Sequence, residues 1–268
     1  NWTSGATPTS DNSIIVPDVT NQPLISSDVT IVDLTINASA DLTVSTNFLT
    51  LTGSTDINGT LNIGNATVNA DGAFDATTGT IDMTNANANL VFSTLATVTS
   101  LGTLDDAEGT VTYDFATFGT QTVISDTYNN LSIANANKKT ALGNLIVNGN
   151  LTTAATATCQ LDLSTFDLNV GGNITVGATD GLDLSDASCL LTIDGGADQT
   201  ITHAGSTGSE LSAVTMNKSA GNAILASAIE MDGVLTLTDG YIQSGSSNLK
   251  LTSAATVSGG SDASHVTG

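Results

Sequence analysis

The chain has 268 residues and a formal charge of −22, from 4 lysines and no arginine against 26 aspartates and glutamates. That balance excludes a nucleic-acid binder, which needs clustered Lys and Arg against phosphate, and docking on an anionic membrane surface. Charged residues make up 11% and apolar ones 40%, so there is apolar surface to bury and the composition is not that of a disordered chain.

Aromatic residues are only 4%, so the core is expected to consist of Val, Ile, Leu and Ala. Thr, Ser, Asn and Asp supply the polar surface. Their short side chains compete for backbone hydrogen bonds and disfavour helices, whereas Thr, Val and Ile favour strands. No run of about 18 apolar residues occurs, so no membrane insertion is expected. The fold class that follows is all-β.

The opening Asn1-Trp2-Thr3 carries no initiator Met and no signal peptide, which reads as a mature or excised part of a secreted protein. Residues 1–27 hold all three prolines (Pro8, Pro17 and Pro23) and the only Trp, Trp2. They are expected to form an N-terminal cap over the end of a repetitive core, with residues 28–268 as the repeat region.

From Val29 onward short apolar-polar-apolar runs follow one another: Val29-Thr30-Ile31, Leu34-Thr35-Ile36, Leu42-Thr43-Val44 and Leu49-Thr50-Leu51, then Leu131-Ser132-Ile133, Val214-Thr215-Met216 and Leu249-Lys250-Leu251. Period two predicts strands of about three to five residues. Four copies of one turn motif punctuate them: Ile57-Asn58-Gly59-Thr60, Val147-Asn148-Gly149-Asn150, Val170-Gly171-Gly172-Asn173 and Met231-Asp232-Gly233-Val234. Each reads as strand end, tight turn, strand start. Gly59, Gly149, Gly172 and Gly233 are therefore the expected corners, with positive φ as the reason for glycine. The same motif can make a hairpin.

A longer period overlies these runs. Val111-Thr112-Tyr113, Gln121-Thr122-Val123 and Leu131-Ser132-Ile133 have counterparts in Leu191-Thr192-Ile193, Gln199-Thr200-Ile201 and Val214-Thr215-Met216, an offset of roughly 80 residues. Many tiny strands around a shared aliphatic core predict a parallel β-helix (β-solenoid), right-handed by the general crossover preference. With coils of about 20–25 residues, about ten coils would stack to roughly 50 Å. The competing fold is two stacked β-sandwich domains split near Gly109.

Candidate chemistry is sparse. Asp105 with Asp106, and Asp180, Asp183 and Asp186, are the carboxylates that sequence spacing brings closest. Glycoside hydrolysis would need two carboxylates about 5–10 Å apart; solvated turn residues are the bland reading. Asp180, Asp183 and Asp186 are also the candidate Ca²⁺ ligands, although EF-hand and nonapeptide spacings are absent. Asp194 and Asp198 form a weaker set. Cys159 and Cys189 either pair in a disulfide or are two buried thiols. His203 and His265 lie far apart, with no Cys or His at metal spacing. The lysines, Lys138, Lys139, Lys218 and Lys250, are expected in turns or on exposed strand faces. Thr-rich runs such as Thr200-Ile201-Thr202 suggest an ice-binding face, but their unequal spacing argues against one aligned row.

One resemblance stands out. Trp2-Thr3-Ser4-Gly5, then Pro8 through Asp11-Asn12-Ser13-Ile14-Ile15-Val16-Pro17, then Pro23-Leu24-Ile25, resembles the start of β-solenoid repeats in large surface proteins exported by the type IX secretion system. Gly109–Tyr113 with Gln121–Val123 and Tyr128–Ile133, and Gly143–Leu151, are similar to further such units. The resemblance implies a repetitive stalk, adhesin or filament of the bacterial cell surface, without catalytic residues.

The expected function is therefore structural or adhesive, extracellular and non-enzymatic, with no cofactor apart from the candidate Ca²⁺. The expected partners are other solenoid ends, by head-to-tail self-association or continuation in a longer chain, and a glycan or other cell-surface ligand. Residues 255–268 are the candidate assembly surface. The alternative is a carbohydrate-active or carbohydrate-binding β-helix that uses surface carboxylates.

Overall fold

The computed structural model describes residues 8–95, 97–205 and 211–268. Among the described residues there are strands, turns and bends and no helix. The chain divides into two compact units, Asn1–Ala116 and Thr117–Gly268, each built as a parallel β-solenoid, with about 12 turns in all.

In the first unit, Ile14–Val16 pairs in parallel with Leu34–Ile36, which pairs with Thr55–Ile57, and that in turn with Phe74–Asp75. A second stack runs through Asp41–Leu51, Thr60–Ala70, Asn89–Phe92 and Thr110–Tyr113. The second unit shows three such stacks. One contains Gln121–Val123, Lys138–Ala141, Gln160–Asp162 and Leu182–Asp183. Another contains Asn130–Ile133, Leu151–Thr153, Ile174–Val176 and Gln199–His203. The third runs from Leu145–Val147 through Leu168–Val170 and Leu191–Ile193 to Ala213–Leu225 and Val234–Gln243.

Alternation explains the stacking. In Leu34-Thr35-Ile36 the two apolar residues are buried and the threonine between them is not, and Thr55-Asp56-Ile57 above repeats the pattern. In-register parallel pairing puts like position over like, so every coil adds its apolar residues to one interior.

Several expectations need correction. Within the expected cap, residues 1–27, the strands Ile14–Val16 and Leu24–Ile25 pair in parallel with the next coil. Trp2 lies outside the described residues. The Asn-Gly and Asp-Gly turns are not hairpins, since every strand that flanks them pairs in parallel with a neighbouring coil. Not all strands are short: Asp41–Leu51 and Thr60–Ala70 have 11 residues and Ala213–Leu225 has 13. Two of these long strands take a bend without ending, at Asn47 (φ 76°) and Gly221 (φ 69°). The core is mainly aliphatic, yet the first unit contains a buried aromatic run. Phe74 meets Phe92 edge-on at 5.2 Å, and Phe92 meets Tyr113 at 5.3 Å.

Coil length varies more than expected, from 18 residues between Gln121 and Lys139 to 27 between Ile174 and Ile201. Loops absorb the difference, so strand registers stay aligned. The outward row Ser132, Thr152, Thr175 and Thr202 is therefore continuous, which unequal sequence spacing had argued against.

Candidate functional site

The predicted corner glycines all sit in tight turns between strands. None has φ in the left-handed region. Glycine is needed there for a different reason, the close approach of the neighbouring coil. A Cβ on Gly233 would fall on the carbonyl oxygen of Ser212, and one on Gly172 on the carbonyl oxygen of Gly149. The Gly172 amide donates to that same oxygen at 2.8 Å. A coil spacing set by backbone hydrogen bonds leaves no room for a side chain that points along the stack.

Asparagines form the second element of the corners. Asn130 Oδ1 accepts the amide of Asn150 (2.9 Å), Asn150 Oδ1 that of Asn173 (2.9 Å), and Asn173 Oδ1 that of Thr200 (2.7 Å). Asn144 and Asp167 repeat the device, accepting the amides of Asp167 and Leu190 at 3.0 Å each. At a corner the chain turns away from its ladder partner, and a side-chain oxygen from the coil below accepts the amide that would otherwise lack one. The abundance of Asn and Asp has this structural role.

The lysines depart most from expectation. Lys139 is 0% and Lys218 1% exposed. Lys139 Nζ donates to the carbonyls of Ala134 (2.7 Å) and Ala136 (2.6 Å). Lys218 Nζ donates to the carbonyls of Gly195 (2.6 Å) and Ala197 (2.7 Å) and to Gln199 Oε1 (2.5 Å). Burial lowers the Lys218 pKa, opposed by the charges of Asp194 and Asp198. The loop with the weaker candidate Ca²⁺ set thus directs its carbonyls at an ammonium group of the chain itself. Lys138 and Lys250 are at the surface, ion-paired with Asp162 and Glu230. A sequence signal existed. Lys139 shares its strand face with Ala141 and Lys218 with Met216, and the two lysines are separated by the same offset of roughly 80 residues.

Among the described residues, no three His, Cys, Asp or Glu side chains are grouped to hold a metal ion. Asp183 accepts the amide of Ser185 (3.0 Å), and Asp186 accepts both the amide (2.8 Å) and the hydroxyl (2.6 Å) of Ser188. These hydrogen bonds hold the Asp186 carboxyl below the usual range. Asp180 lies beside Cys159 and Gln160 at the edge of a shallow groove.

Carboxylates meet across coils rather than along the chain. Asp56 is in register with Asp75 and Asp162 with Asp183. Asp105 follows Leu104, the register partner of Ile81, and so faces Asp82. Burial, and then the charge of Asp105, raises the pKa of Asp82. Sequence spacing had paired Asp105 with Asp106 instead.

Cys159 and Cys189 are free thiols, which corrects the disulfide alternative. Each precedes a strand of a different stack, Gln160–Asp162 and Leu191–Ile193. Cys159 Sγ donates to the carbonyl of Ile133 (3.4 Å) and Cys189 Sγ to that of Ser164 (3.2 Å). Burial, then Asp186 and further carboxylates, pushes the Cys189 thiol up to about 11. His203 is buried beside an apolar cavity of about 50 Å³ lined by Leu182, Leu211, Val214 and Leu225 among others. Burial pushes its pKa down to about 4, against the opposing charge of Asp180. Pro17 and Pro23 flank the strands Ile14–Val16 and Leu24–Ile25, and Pro8 begins the described chain.

No protein-family model, curated protein or solved structure matches this chain.

Proposed function

We propose that this chain is an extracellular structural protein, a stiff β-solenoid that serves as a stalk or adhesive module of a bacterial cell surface. The observation that carries the reading is where its polar chemistry is used. The corner Asn and Asp side chains bond the coil above, and the buried lysines bond loop carbonyls. Chemistry committed to holding coils together serves a protein whose product is stiffness. The acidic, arginine-free surface keeps such a module soluble and repels non-specific partners. The resemblance of its opening residues to type IX exported repeats supports the same reading.

Electron microscopy of the purified chain, untreated and with EDTA, tests the role. Short uniform particles unaffected by EDTA are expected, and a glycan array then searches for an adhesive ligand. Long filaments would overturn the stalk form, and particles that collapse in EDTA would make a metal part of the structure.

The facing pair Asp82 and Asp105 supports a second reading, a carbohydrate-active β-helix. A carboxyl raised by burial, with a second carboxyl facing it across adjacent coils, is the kind of pair an acid–base hydrolysis draws on. Release of reducing ends from a panel of polysaccharides, lost in Asp82→Asn, would establish it.

A further inference from the structure

The interior of the second unit brings an amine and a carboxamide into contact. Lys218 Nζ stands 2.5 Å from Gln199 Oε1, and each residue is 1% exposed. The carboxamide carbon Cδ lies one bond beyond that oxygen. Both ends of the carboxamide are held. Oε1 also accepts the amide of Gly195 (3.0 Å), and Nε2 donates to the carbonyls of Val170 (2.9 Å) and Gly172 (2.6 Å). These partners fix which end meets the lysine. The carbonyls of Gly195 (2.6 Å) and Ala197 (2.7 Å) keep Nζ against it.

The pairing recurs. Among the described residues the buried glutamines are Gln121 and Gln199, and the buried lysines are Lys139 and Lys218. Gln121 is in register with Lys139 on the adjacent coil. The glutamines are 78 residues apart and the lysines 79, which is the offset of the long repeat. At Gln199 the surroundings are those of an amide-exchange site. A desolvated lysine amine is a nucleophile, and burial lowers the Lys218 pKa toward the free amine. Contact fixed by the fold removes the entropic cost of bringing the two groups together. The Gly195 amide already points at the oxygen on which negative charge develops when Cδ is attacked.

We propose that Lys218 and Gln199 join after folding through an Nε-(γ-glutamyl)lysine bond, a covalent tie between successive coils. Nζ attacks Cδ, and the bond from Cδ to Nε2 breaks. Of the three protons on the ammonium, one stays on the new amide and two pass to Nε2, which leaves as ammonium. Charge and electrons balance without an oxidant or a reductant. Asp194 and Asp198, whose charges act on Lys218, are the bases at hand to relay those protons. The hydrogen-bonded pair is the reactant state. The inference rests on the fold and holds whether or not the surface role does.

Mass spectrometry of the purified chain, unfolded after purification, tests it. The chain is expected to be lighter than its sequence mass by at least one ammonia. Cyanogen bromide then cuts after Met83, Met216 and Met231, so Gln199 falls in fragment 84–216 and Lys218 in fragment 217–231. The two fragments are expected to stay joined. In Lys218→Arg they are expected to separate. A succinimide at Asn58 or Asn148 also loses ammonia but leaves the fragments apart, so the cleavage distinguishes it. The full sequence mass in the parent chain, separate fragments 84–216 and 217–231, or joined fragments in Lys218→Arg would overturn the inference. The parent result decides by itself if the variant does not fold.

Discussion

Lys218 places its Nζ 2.5 Å from Oε1 of Gln199, and both side chains are almost wholly buried. Gln199 Nε2 donates onward to the carbonyls of Val170 (2.9 Å) and Gly172 (2.6 Å), and its Oε1 also accepts the amide of Gly195 (3.0 Å). One polar column therefore links three successive coils inside an apolar core. Buried polar groups of this kind stabilise only when all are satisfied, which makes the column sensitive to the loss of any member.

Lys218→Met and Lys139→Met are each expected to cost about 3 kcal/mol, because carbonyls held by an ammonium become unpaired in the interior. Lys138→Met, one residue from Lys139 but at the surface, should cost about 0.5 kcal/mol or less. Urea unfolding of the three variants checks this. Equal losses at Lys138 and Lys139 would refute the buried role.

Gly233→Ala should destabilise by about 2 kcal/mol, since the added methyl falls on the Ser212 carbonyl and the coils must part. Gly196→Ala meets nothing within 4 Å and should change stability by no more than about 0.5 kcal/mol. Thermal melting of both variants separates the two cases. Comparable losses would show that flexibility, not coil spacing, explains the glycines.

His203 should make the fold weaken in mild acid. Its folded pKa of about 4 lies below the unfolded value of 6.5, so the unfolded chain binds the extra proton. The stability that neutral His203 contributes is fully present above pH 6.5 and is lost as pH falls from there toward 4. Because many carboxylates also titrate at the low end of that window, the diagnostic is a difference. His203→Leu should show a smaller loss of stability than the parent between pH 6.5 and 4.5. Parallel curves would sink the assignment.

Cys159 and Cys189 should resist alkylation by iodoacetamide at pH 8 in the folded chain and both react in urea, because burial raises both thiol pKa values. Intact mass should show two thiols and no disulfide. Rapid labelling of the native chain would contradict the buried thiols.

Much of the fold is legible in the residues themselves. Alternation at Leu34-Thr35-Ile36 or Leu131-Ser132-Ile133 specifies a strand and its inward face, because side chains on a strand change sides at every residue. The four Gly-centred motifs mark corners, and the Thr, Val and Ile content favours strands over helices. What local pattern lacks is the neighbour one coil away. Coil length varies, so no fixed spacing states that Gly172 rests on Gly149, that Asp82 faces Asp105, or that Ser132, Thr152, Thr175 and Thr202 align. Lys139 and Lys218 show the limit most clearly. Charge predicts solvent for any lysine, and only the loop carbonyls folded over each ammonium by tertiary structure make burial the lower-energy state.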